Sequence, residues 1–108
     1  SLHRVMMNTA VNVQKGVIGF VSKDSVYDGL MHELFSPIGL TISLEEGDPF
    51  EAFTVASSSG TGFVFELMSY WQEWIVEHGL EPELARAIVT QTFLGAAQLA
   101  ENSVDSFE

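Results

Sequence analysis

Two long apolar helices with almost no link between them constrain this chain more than any other feature. Phe63, Leu67, Met68, Trp71, Trp74 and Ile75 recur at spacings of three and four, which predicts a helix over residues 59–78. Phe65 and Tyr70 widen the apolar surface beyond one stripe. Gly79 stands at the first position past the helix and Leu80 follows it, the pattern of a Schellman ending. Pro82 then opens a second helix over residues 82–100. Its larger residues Leu84, Ile88, Phe93 and Leu99 alternate with Ala85, Val89, Gly95, Ala96 and Ala97, small enough for close helix approach. Such a hairpin is apolar on more than one face and cannot bury itself. It must pack on the preceding segment, on a partner chain, or on both.

Composition narrows the rest. At 108 residues and 46% hydrophobic, the chain supports one small domain with a modest core. No apolar run approaches the roughly 18 residues of a membrane span, and the start shows no signal-peptide pattern. The first residue is Ser rather than Met, so an excised piece of a longer protein is expected. The chain has no Cys, which excludes a disulfide framework and thiolate chemistry and is compatible with the cytoplasm. Four basic residues face fifteen acidic ones, for a net charge of −11. Arg4, Lys15, Lys23 and Arg86 are scattered, which disfavours nucleic acid and anionic membrane as partners.

The first part reads as strands and turns. Strands are expected over residues 2–6, 17–21 and 40–44, the second rich in β-branched residues. Asp24 or Ser25 caps a helix to residue 35, on Val26, Tyr27, Leu30, Met31 and Leu34, and Pro37 and Gly39 stop it. Asp48 as N-cap, Pro49 at the first helical position and Glu51 as capping-box partner predict a helix over residues 49–56. The fold class is therefore α+β, mainly α.

"ASSSGTGFVFEL" (residues 56–67) is the first candidate site. Ser57, Ser58 and Ser59 at a helix start can bind a carboxylate through hydroxyls and free backbone N–H groups, or simply cap the helix. No Lys follows the glycine, which excludes a Walker-type loop. His3, His32 and His78 lie in separate segments, so no metal site is expected. No spacing supports a Ser–His nucleophile. Glu45, Glu46 and Asp48 read as a solvated turn, and Trp71 and Trp74 as core or interface anchors.

Four blocks, in order, carry a family resemblance. "RVMMNTAVNVQKGV" is similar to an R-V-M-P-N-T-P segment, and "LMHELFSPIGLTISLEE" to an E-L-F-x-x-x-G segment with its following strand. "FTVASSSGTGFVFELM" is similar to a T-x-x-S-G-S-G-P-A-Y-x-F block. "EHGLEPELARAIVTQTFLGAAQL" is similar to a helix hairpin with G-L-x-x-x-x-A and Q-T-x-x-G-A-A. Together they resemble the pyrroline-5-carboxylate reductases over nearly the whole chain.

The resemblance implies the C-terminal part of a longer enzyme that reduces a cyclic imine to proline with NADPH or NADH. Residues 1–46 would be the last strands and helix of a Rossmann-type nucleotide-binding domain. Residues 47–108 would be most of a helical dimerisation domain that forms a homodimer, often assembled further, in the cytoplasm. Asn8 and Thr9 match the family's Asn-Thr near the nicotinamide and are expected to bind cofactor or to make a turn. Ser57 and Ser59 are the expected substrate contacts. No catalytic side chain is expected here, since the cofactor carries the hydride. G-x-G-x-x-G is absent, so the nucleotide is expected to be held mainly by an N-terminal domain outside this chain. The family's later S-P-G-G-T-T block would follow Glu108, and the piece alone is expected to be inactive.

The chain departs from the pattern near the expected active site. Met7 and Ala10 stand where the family has Pro, Ser58 replaces Gly, Thr61 replaces Pro, Gly62 replaces Ala and Phe63 replaces Tyr. Three readings therefore stand side by side: a reductase segment, a relative that is non-catalytic or acts on another imine, and a free-standing helical interaction module.

Overall fold

The computed structural model describes residues 4–22 and 24–107. Leu2 and His3, the start of the first expected strand, lie outside the described residues. β1 (Arg4–Met7) pairs antiparallel with β2 (Gly16–Val21), placing Arg4 opposite Val21 and Met7 opposite Ile18. β2 pairs in parallel with β3 (Gly39–Leu44), from Gly16 opposite Gly39 to Val21 opposite Leu44. The sheet order is β1-β2-β3. The central strand carries the core, with Ile18 and Phe20 fully buried.

Parallel neighbours need a crossover, and α1 (Ser25–Phe35) supplies it. Asp24 caps it as expected, its carboxylate accepting from the Val26 N–H at 2.9 Å. Met31 is buried, and the Tyr27 and His32 rings meet Phe20 edge-on at 6.5 and 5.2 Å. A short 3₁₀ turn (Ser36–Ile38) containing Pro37 ends the crossover. Between β1 and β2 the chain forms another 3₁₀ turn (Thr9–Val13), closed by Gln14 in the left-handed region at φ 60°.

α2 (Asp48–Thr54) begins one residue earlier than expected. Gly47, at φ 99°, is the N-cap, and its carbonyl accepts from the Glu51 N–H at 3.0 Å. Asp48 is therefore no cap and the expected capping box does not form. Glycine tolerates the positive φ that turns the chain into the helix there. Asp48 falls inside the first turn, where its charge favours the helix N-terminus. Phe50 is buried beside Phe53, with Arg4 over its ring at 4.4 Å and also paired with Glu46.

The chain does not leave the helix at the serines. A five-residue π turn (Val55–Ser59) leads directly into α3 (Gly60–Glu77). The expected break between residues 56 and 59 is absent, and Gly60 has ordinary helical angles, φ −57° and ψ −38°.

Contacts divide the chain into two compact units, between Phe63 and Val64. In the second, α3 ends in the expected Schellman geometry. Gly79 sits at φ 103°, its N–H donates to the Val76 carbonyl at 3.0 Å, and the Leu80 N–H donates to Ile75 at 3.4 Å. α4 (Pro82–Glu101) follows at once. The Gln72 amide donates to the Pro82 carbonyl at 3.3 Å, and Trp71 meets Phe93 edge-on at 5.6 Å. α3 buries no residue, and α4 buries only Ala85 and Val89. Among the described residues no helix is long and apolar enough to cross a membrane.

Candidate functional site

The first site lies where the end of β1 meets the π turn. Asn8 extends the ladder by donating its backbone N–H to the Val17 carbonyl at 3.4 Å. Its side chain makes two further bonds. Oδ1 accepts from the Val17 N–H at 3.1 Å, and Nδ2 donates to the Ser57 carbonyl at 3.3 Å. The same carbonyl accepts from the Thr61 hydroxyl at 3.2 Å. Asn8 and Ser57, candidates 49 residues apart, are thus in direct contact.

The serines do not cap a helix. Within the π turn the Gly60 N–H reaches back five residues to the Val55 carbonyl. The backbone at 57–59 is already helical, so it offers no free helix N-terminus as an anion cradle. Ser57 turns its hydroxyl back onto the Phe53 carbonyl at 2.8 Å, the i−4 bond that polar side chains make inside helices. Among the described residues, the Thr9, Ser58 and Ser59 hydroxyls make no bond within the chain, and all three residues are exposed. They remain available to a ligand, together with one N–H of the Asn8 carboxamide. The sequence marks Thr61 as a departure near the expected site, but its bond to the Ser57 carbonyl is new from the structure. Of the other departures, Met7 lies in β1, Ala10 in the 3₁₀ turn, and Gly62 on α3 with open space where a Cβ would stand.

The histidines stay apart. His32 lies 3.6 Å from Asp28, His78 Nδ1 lies 2.7 Å from the Trp74 carbonyl, and His3 is outside the described residues. Among the described residues no group of three or more His, Asp or Glu is placed to hold a metal ion.

The second feature is the bare helix pair. Phe65, Leu67, Tyr70, Trp71, Trp74 and Leu94 all stand well exposed. Leu67, Tyr70, Trp71 and Trp74 line an open, mostly apolar groove on α3. The Tyr70 hydroxyl donates to Glu66 at 3.0 Å. That hydrogen bond and the carboxylate charge push the Tyr70 phenol above its ordinary pKa. Contiguous exposed apolar surface of this kind marks an interaction face.

Residues 48–108 match the model of the pyrroline-5-carboxylate reductase dimerisation family. The chain belongs to that family. The pyrroline-5-carboxylate reductase of Haemophilus influenzae is 29% identical over 102 residues, which cover 92% of this chain and 38% of that protein. The solved pyrroline-5-carboxylate reductase of Coxiella burnetii superposes with a TM-score of 0.91 at 30% identity, over 97% of this chain and 40% of that one. The Plasmodium falciparum pyrroline carboxylate reductase, solved with NADP bound, shares the fold at a TM-score of 0.88 and 24% identity, over 99% of this chain and 45% of that one. The chain thus spans about two-fifths of the length of the relatives it matches. The mainly helical α+β architecture and the reductase resemblance both hold. An accidental likeness in a free-standing helical module does not survive these matches.

Proposed function

We propose that the chain is the dimerising and active-site-lining part of an NAD(P)H-dependent reductase that converts pyrroline-5-carboxylate to proline. One observation carries the reading: the bond from Asn8 to the Ser57 carbonyl. It sets the segment expected at the cofactor against the segment expected at the substrate. Hydride transfer needs those two ligands within contact distance. Thr9 offers its hydroxyl to the cofactor, and Asn8 offers its remaining N–H. The exposed Ser59 hydroxyl, next to Ser57, offers a donor to the substrate carboxylate. The cofactor supplies the hydride, and most of its binding surface belongs to a domain outside this chain.

In this reading residues 1–46 complete a nucleotide-binding domain and residues 47–108 form a homodimer, with larger assemblies built from it, in the cytoplasm. The bare apolar faces of α3 and α4 support the dimer. The test is imine-dependent oxidation of NADPH by the full-length protein that contains this chain. Oxidation that requires both the imine and the protein is the expected result; no oxidation with any cyclic imine overturns the reading. A second reading, a relative acting on another imine, is favoured by Ser58, Thr61 and Gly62 beside the site. A higher kcat/KM on a different ring than on pyrroline-5-carboxylate would select it.

A further inference from the structure

We infer that Asn8 is a positioning residue that holds the π turn, and through it the free hydroxyls of Ser58 and Ser59, in place for the substrate carboxylate. The substrate half of this inference rests on the reductase reading above. The π turn is the unusual element. Such turns occur mostly as single bulges inside α-helices, frequently at functional sites. Here the Ser57 carbonyl inside the turn takes two side-chain donors, Asn8 Nδ2 at 3.3 Å and Thr61 Oγ1 at 3.2 Å. Asn8 is in turn anchored twice to Val17, by its backbone N–H and by Oδ1. Val17 lies on the central strand, next to fully buried Ile18.

A continuous set of fixed groups therefore runs from the core strand through Asn8 to the Ser57 carbonyl. The next two residues carry hydroxyls with no partner among the described residues. A binding group works when its own geometry is held by such supporting bonds. Thr61 stands where the family pattern has Pro, which has no hydroxyl, so the clamp has a second arm in this chain.

Two near-isosteric variants of the full-length protein test the inference. Asn8→Asp keeps an oxygen to accept from Val17 but sets a carboxylate oxygen against the Ser57 carbonyl. Thr61→Val removes the other donor alone, and it carries the test if Asn8→Asp does not fold. Hydrogen exchange of residues 55–60 reads the clamp, and steady-state kinetics read the site. In Asn8→Asp, exchange should rise and the KM for the imine should increase about tenfold. Thr61→Val should move both the same way, with KM up about threefold. In Thr61→Val, which touches no group assigned to the cofactor, kcat and the KM for NADPH should stay within about twofold of wild type.

Unchanged exchange in both variants overturns the clamp. Raised exchange with an unmoved imine KM overturns the positioning role. In Asn8→Asp, a shift in the NADPH KM with the imine KM unmoved leaves Asn8 to the cofactor alone and overturns the positioning role too. If the wild-type protein consumes no imine, the reductase reading and the substrate role both fall, while exchange still decides the clamp.

Discussion

Gly19 sits where β2 passes under α2, and replacing it with alanine tests that packing directly. A Cβ at Gly19 would fall 2.5 Å from Cε2 of Phe53, 2.7 Å from Cζ and 2.8 Å from Cδ2. Carbon atoms settle at about 3.5–4.0 Å, so the ring would have to withdraw by roughly 1 Å. Three atoms of a planar ring meet the new methyl together, so the ring, which also meets Phe50, must shift as a body. Overpacking of this kind costs about 1–3 kcal/mol. At about 4–8 °C per kcal/mol for a domain near this size, the Tm should fall by roughly 5–20 °C. Scans must share one chain concentration, because association raises the apparent Tm. The control is Phe53→Leu, which removes the ring and alone should cost about 1 kcal/mol at this half-buried position. Gly19→Ala/Phe53→Leu should then be less destabilised than the sum of the singles, by about 1 kcal/mol or more in urea denaturation. Additivity within about 0.5 kcal/mol would refute the proposed contact.

Three further substitutions probe other elements. Asp24→Ala removes the N-cap bond of α1 and should cost about 1 kcal/mol in urea denaturation, whereas Asp24→Asn should be nearly neutral. Gly79→Ala places a Cβ at φ 103° and should cost about 1–2 kcal/mol, seen as a lower Tm at fixed concentration. Glu66→Gln removes both the carboxylate acceptor and the charge beside Tyr70, so the phenol should ionise at lower pH than in wild type by ultraviolet titration.

Local chemistry made much of the fold legible. The Asp24 cap, the Gly79–Leu80 ending and the Pro82 start each need only a few adjacent residues, and each lies where the pattern places it. Boundaries slipped where two residues competed for one role. Asp48 has the side chain of a cap, but Gly47 has the backbone freedom to enter the helix one residue sooner. The serine run misled for a different reason. Serines favour helix ends, so three in a row read as a break. In the structure Ser57 bonds back to Phe53, and its carbonyl is taken by Asn8 from 49 residues away. That partner is tertiary, and no window of neighbouring residues contains it. The candidate residues were therefore visible one by one, whereas their contact and the part played by Thr61 were not.

The central claim is that the bare helix pair is an interface between two copies of this chain. Sedimentation equilibrium of the full-length protein, with Trp74→Glu beside it, tests this most directly. The wild type should sediment at twice the chain mass or a multiple of it. Trp74→Glu sets a charge in the apolar groove lined by Leu67, Tyr70 and Trp71, and it should dissociate toward single chains with its helix content kept. A wild-type protein of single-chain mass at every concentration would contradict the account.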